Sequence, residues 1–237
     1  MKRIFILPFI LIAVGHTGLF AQATKSEIRN SITYKLERGV YNRALKYNDI
    51  GIAVNALYNL CVLEPQNDSL LYALQYLYFN NQQYISSVLV ANDVLLLNNK
   101  NTGSQEMKAM GLEQIGAKDK AIEEYESLYL KNSNNLDYLY KTAFLQYGVK
   151  RYKEALTNVD ILLGKPQADS VKLTFDKGNN EQQQVPMKAS LYNLKGMIQQ
   201  AQGNMDDARK QFNLSLQTSP DFFLAKQNLD SLAVRTK

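Results

Sequence analysis

"AQGNMDDARKQF", residues Ala201–Phe212, carries two adjacent carboxylates, Asp206 and Asp207, just after a glycine. The pair is either acid–base machinery or the opening of a helix, and recurrence of the same spacing elsewhere decides between them. In "GAKDKAIEEY" (Gly116–Tyr125), "KRYKEALTNV" (Lys150–Val159) and "GNMDDARKQF" (Gly203–Phe212), an alanine holds the sixth place and an apolar or aromatic residue the tenth. The alanines are Ala121, Ala155 and Ala208. The step from Ala155 back to Ala121, taken again, meets Ser87, and once more meets Ala53, so small residues at 53, 87, 121 and 155 fall on one lattice.

The lattice holds at other places. Counted from Tyr34, Asp68, Thr102, Leu136 and Ala189, the eighth place reads Tyr41, Gln75, Ala109, Ala143 and Gly196. The twenty-fourth reads Leu57, Ala91, Tyr125, Val159 and Phe212, and the twenty-seventh Leu60, Val94, Leu128, Leu162 and Ser215. Pro65, Pro166 and Pro220 fall near unit ends, where a second helix must stop. Small side chains let paired helices approach, and the larger residue at the twenty-fourth place fills the space beside them.

This pattern, running from Tyr34 to Pro220, resembles the tetratricopeptide repeat, a helix-turn-helix unit with the same period, small residues at places 8 and 20 and proline at 32. The match is fullest in the last unit, through Tyr192, Gly196, Gly203, Ala208, Phe212 and Pro220. Tyr41 and Gln75 depart from it, which predicts looser helix packing in the first two units. The resemblance implies an all-α fold, a right-handed α-solenoid with units near 34–67, 68–101, 102–135, 136–169 and 189–222, each burying the apolar face of its neighbour. Residues 23–33 are expected to extend the first helix backwards, and residues 223–236, with Phe223, Leu224, Leu229 and Leu232, to form a terminal capping helix. In this frame Asp206 and Asp207 open a second helix, where carboxylates meet the positive end of the helix dipole. Lys120 and Glu154 take the place of Asp207 in other units, so the pair is structural rather than catalytic.

The first residues carry a different signal. "MKRIFILPFILIAVGHTGLFAQ" has a cationic start, an apolar run from Ile4 to Val14 and a small residue at Ala21. That is the layout of a secretory signal peptide over residues 1–21, and the run is too short for a comfortable bilayer span, which weighs against a retained anchor. Cleavage is expected after Ala21, with no cysteine beside it for lipid attachment and no integral membrane segment left behind. The only histidine, His16, leaves with the peptide, removing histidine catalysis and histidine metal ligation from the mature chain. Cys61 stands alone in an apolar helical context, which reads as an inert packed thiol and excludes an internal disulfide. The formal charge falls from +5 to +3 on losing Lys2 and Arg3, an ordinary solvated surface rather than a nucleic-acid footprint. "GLEQIGAK" (Gly111–Lys118) approaches a phosphate-binding loop, but Ala117 and Asp119 break it.

Between the fourth and fifth units the lattice slips: the fifth unit starts at Ala189, where the period calls for Ser170, and the surplus lies within "KPQADSVKLTFDKGNNEQQQVPMKA". Val171, Leu173 and Phe175 alternate with polar residues, "DKGNN" is rich in turn formers, and Val185 and Met187 share one side. The expectation is a β-hairpin insertion near 165–188; the alternative is a disordered glutamine-rich loop. An unpaired hairpin edge accepts a partner strand, and Pro186 blunts one edge. Three Asp-Ser-apolar triplets beginning at Asp68, Asp169 and Asp230 resemble an O-glycosylation acceptor pattern of some Gram-negative bacteria, but Asp and Ser also start helices and strands as caps.

In the tetratricopeptide family, places 2, 5, 9 and 12 of the first helix face a concave, ligand-holding groove. Carried onto this chain, places 5, 9 and 12 become Tyr72, Tyr76 and Phe79 in the second unit and Tyr140, Phe144 and Tyr147 in the fourth. The third unit contributes Glu106, Met110 and Glu113, and the first Arg38 and Asn42 together with Lys35. The implied groove is aromatic, with an acidic centre and a basic end; the competing expectation is that the rings pack between helices. The lysine–asparagine carboxylate clamp of the family is not reproduced. The expected function is an exported, periplasmic scaffold or assembly adaptor for a protein or peptide partner, with no enzyme activity, cofactor, metal or nucleic acid. A carbohydrate- or peptidoglycan-associated factor is the alternative, since tyrosine faces also stack on sugars.

Overall fold

The computed structural model describes residues 24–178 and 180–234. The expected signal peptide lies outside them. Helices α1 (Lys25–Asn30), α2 (Ile32–Lys46), α3 (Ile50–Leu63), α4 (Asp68–Asn80), α5 (Tyr84–Leu97), α6 (Thr102–Gln114), α7 (Lys118–Lys131), α8 (Leu136–Gly148) and α9 (Tyr152–Leu163) follow in order. A 3-10 turn at Pro166–Asp169 leads to strands β1 (Lys172–Gly178) and β2 (Glu181–Pro186), and then to α10 (Met187–Ala201), α11 (Met205–Thr218) and α12 (Phe223–Val234). Each helix packs on the one before it and the one after it, and α10 follows α9 across the hairpin. This serial stacking is an α-solenoid.

The turn inside each unit repeats one device. Asn48, Gln82, Gly116, Lys150 and Gly203 all occupy the fifteenth place and all adopt positive φ, between 55° and 86°. The next residue's N–H then reaches back to the carbonyl five residues earlier: Asp49 to Ala44, Gln83 to Tyr78, Ala117 to Leu112, Arg151 to Gln146 and Asn204 to Gln199, at 2.8–2.9 Å. This is the Schellman closure of a helix end, which satisfies carbonyls that would otherwise be orphaned. Joints between units use a second device on the same period. The side chains of Asn67, Asn101 and Asn135 accept from the opening N–H groups of α4, α6 and α8.

The core follows the lattice. Ala53, Ser87, Ala121, Ala155 and Ala208 are all fully buried, as are Leu57, Ala91, Val159 and Phe212. The closest approach is at Gly196, where an added Cβ would come within 2.5 Å of Phe212 Cε1. Looser packing around Gln75 does not occur. That side chain is fully buried because its amide donates to the Ser104 carbonyl at 3.0 Å and accepts from Ser104 Oγ at 2.6 Å, joining α4 to α6. The backward extension of the first helix is also corrected. Ser31 is extended (ψ 147°) and caps α2 through Tyr34 N–H, so the chain breaks between α1 and α2. Arg29 of α1 then pairs with the buried Glu64 at 2.6 Å.

The insertion is an antiparallel hairpin in the register Leu173↔Val185, Thr174↔Gln184 and Phe175↔Gln183. Its apolar face is anchored. Phe175 stacks on Phe222 at 5.1 Å, and Val185 and Met187 are fully buried. Of the Asp-Ser triplets, Asp68 lies in the first turn of α4, but Asp230 lies within α12 and starts no element.

Two substitutions probe the packing rule in opposite directions. Gly196→Ala is expected to lose about 1–3 kcal/mol by forcing its Cβ into the Phe212 ring. Lys150→Gly is expected to gain up to about 1 kcal/mol by removing a left-handed non-glycine residue. Thermal denaturation followed by circular dichroism reads both.

Candidate functional site

Consecutive first helices touch, α4 against α6 and α8 against α10, while no pair of second helices makes comparable contact among the described residues. The first helices therefore converge on the inner side of the stack. At their ninth place stand Tyr76, Met110 and Phe144, which are 52%, 45% and 47% exposed, with Asn42 exposed at the same place in α2. Side chains of that size left in water at one equivalent place of three successive units form an apolar row along the inner face.

The other expected groove residues divide by what they touch. Tyr72 leans on α6, its hydroxyl 2.8 Å from where a Gly103 Cβ would stand. The Tyr140 hydroxyl shares a 2.7 Å hydrogen bond with Ser190 Oγ across α8 and α10, and burial pushes its pKa up. Phe79 packs edge-on against Tyr84 at 5.4 Å and Tyr147 lies tilted against Tyr152 at 6.1 Å, each ring closing the end of its own helical pair. Glu106 accepts from the Tyr138 hydroxyl. Glu113 accepts from the Tyr125 hydroxyl at 3.2 Å and pairs with Lys141 at 3.5 Å. Burial, followed by the Glu113 carboxylate, raises the Tyr125 pKa. Arg38 lies over the Tyr41 ring at 5.7 Å, beside a hollow of about 500 Å³ between α2 and α4. Of the expected set, Tyr76, Met110 and Phe144 stay exposed, while Tyr72, Tyr140, Phe79 and Tyr147 pack against neighbouring residues.

The apolar row ends in a groove of about 350 Å³. Its floor is Glu113 of α6 with Asp137, Tyr140, Lys141 and Phe144 of α8, and its wall is Leu173, Thr174 and Phe175 of β1. Asp137, Lys141 and the strand are additions to the expected set. Asp137 occupies the second place of its unit, one of the inward places of the repeat, so its position was readable from the lattice. The approach of β1 was not. No cluster of three or more His, Cys, Asp or Glu suited to a metal ion occurs among the described residues, and no described helix is long and apolar enough to cross a membrane.

Among solved structures, the chain is similar to the crystal structure of a MamA protein, with a TM-score of 0.60 and 15% identity over 79% of this chain and 92% of that one. It is also similar to MamA 41-end from Desulfovibrio magneticus RS-1, with a TM-score of 0.59 and 14% identity over 81% and 98%. A third is YrrB, described as a TPR protein with an unusual peptide-binding site, with a TM-score of 0.61 and 12% identity over 83% and 97%. No protein-family profile and no curated protein matches the chain. At such identities the likeness establishes the architecture, a tetratricopeptide-type α-solenoid.

Cys61 is partly buried, and that burial alone pushes its thiol up to about 11. A raised value means the thiolate is scarce at neutral pH. Alkylation of the folded chain at pH 8 is expected to run roughly a hundredfold slower than that of the chain in denaturant, because only the thiolate reacts. Mass spectrometry of timed iodoacetamide reactions measures the ratio.

Proposed function

We propose that this chain is an exported scaffold that holds a protein or peptide partner along the inner face of its first helices. The observation that carries the proposal is the row Tyr76, Met110 and Phe144, half exposed at one equivalent place and leading into the groove between α8 and β1. Large rings and thioethers presented on rigid helices anchor interfaces at low entropic cost. The peptide-binding description of YrrB, which shares the fold, supports the same use of this one. Protein is favoured over sugar as the ligand, because Tyr140 is tied down at Ser190 and Tyr147 is covered by Tyr152, which leaves few free ring faces for stacking on a saccharide. Export and a periplasmic destination rest on the cationic and apolar pattern of the first residues.

The double variant Tyr76→Ala/Phe144→Ala is expected to weaken partner capture at least tenfold, with its helical signal and melting temperature little changed. Crosslinking in cells with partner identification, followed by affinity measurement on the identified pair, checks this; a partner held equally well by the variant would move the interface elsewhere. For export, N-terminal sequencing of the protein recovered from the producing cells is expected to begin at Gln22. An N-terminus at Met1 would remove the signal-peptide reading.

A further inference from the structure

The groove beside α8 has a wall with an open hydrogen-bonding edge. Val171 and Met187 lie opposite one another at the base of the hairpin, and the Met187 N–H donates to the Val171 carbonyl at 2.8 Å. Successive residues of an antiparallel strand alternate between facing the partner strand and facing away. That bond therefore fixes the parity: Leu173 and Phe175 direct their backbone groups to β2, while Lys172 and Thr174 direct theirs outward. Among the described residues, those outward groups have no backbone partner beyond the hairpin. Thr174, whose backbone groups point away from β2, lines the groove together with Tyr140 and Phe144 of α8, so the open edge of β1 borders that groove. The outer edge of β2 is different. It carries Pro186, which has no N–H to offer, and the Gln183 side chain ties that strand to Asp221 and Phe223.

Side chains next to this edge define what fits. Leu173 and Phe175 point down onto the helices, packing on the α8–α10 core and on Phe222. A strand added to β1 continues the same alternation, so every second side chain drops between β1 and α8, onto Tyr140 and Phe144. Asp137 stands exposed at the groove with no ion pair or side-chain hydrogen bond among the described residues, whereas Lys141 is already engaged by Glu113. The uncompensated charge at the groove is negative. Its volume, about 350 Å³, accepts side chains of an extended segment rather than a folded body.

We propose that a partner's extended segment adds to the outer edge of β1 as a third strand, placing two apolar residues spaced i, i+2 against Tyr140 and Phe144 and a lysine or arginine beside Asp137. The proposal rests on the groove function above and names the chemistry of its occupant. Backbone pairing supplies affinity in such an arrangement, and the alternate side chains supply selectivity.

A library of random displayed heptapeptides, panned against the purified chain, tests it. The expected selection is an apolar-x-apolar pattern with a neighbouring lysine or arginine. One selected peptide is then synthesised with N-methyl groups on either alternate set of its amides. The set facing β1 is expected to lose affinity about tenfold or more, and the other set little, because one set alone would donate to the strand. Thr174→Pro, which removes an outward N–H, is expected to weaken the unmodified peptide about threefold to tenfold. Asp137→Asn is expected to weaken it and to flatten its salt dependence. If Phe144→Ala abolishes binding while both methylated peptides bind like the parent and Thr174→Pro is silent, groove binding stands and strand addition falls. If no selected peptide responds to Phe144→Ala, to Thr174→Pro or to N-methylation, both readings fall. An acidic consensus also overturns the stated chemistry.

Discussion

The structure depends on one steric bargain, the close approach of the two helices within each unit at the eighth and twenty-fourth places. Summed size across that contact is held roughly level while the individual residues change. Gly196 admits Phe212, Ala109 admits Tyr125 and Ala143 admits Val159, whereas Gln75 stands opposite the small Ala91. Interiors pack at crystal-like density, so a large side chain on one helix demands a small one on its neighbour. Tyr41 faces Leu57 and is the exception; it is half-buried, with Arg38 over its ring. Because the rule acts on pairs, a unit that lacks a small eighth residue still closes.

The repeat period was legible because burial is periodic in a solenoid, and the small residues Ala53, Ser87, Ala121 and Ala155 mark it. The turns were only partly legible. Glycine announces a left-handed residue at Gly116 and Gly203, but Asn48, Gln82 and Lys150 adopt the same backbone without that signal. At Gln82 and Lys150 the closing hydrogen bonds impose the conformation against local preference, whereas asparagine tolerates it. The caps Asn67, Asn101 and Asn135 recur on the same period and were visible in principle, although polar residues at a unit joint attract less notice than buried ones. For the candidate site, periodicity identified the inward places of the first helices but not the neighbours of each ring. Tyr140 finds Ser190 across an insertion of irregular length, and Phe79 is claimed by the adjacent Tyr84.

Polar ties between units are few and specific. Gln75 bonds to Ser104 of the next unit, and Lys131 reaches back to the Asn99 carbonyl at 3.1 Å. Gln146 donates to Glu126, and Lys195 pairs with Asp160 at 2.6 Å. Apolar stacking supplies most of the cohesion and is tolerant of sliding, whereas bonds of fixed length between named atoms set the rotation of one unit on the next.

The hairpin joins α10 without a linker. Pro186 ends β2 and stands directly before Met187, the first helical residue, which is fully buried and held by the Val171 carbonyl. The two-stranded sheet and the last helical pair consequently behave as one mechanical part, a lever with its arm above the groove and its root in the C-terminal core. Tension applied to β1 travels into α10 with no slack to absorb it, and from there to α11 and α12 at the end of the stack.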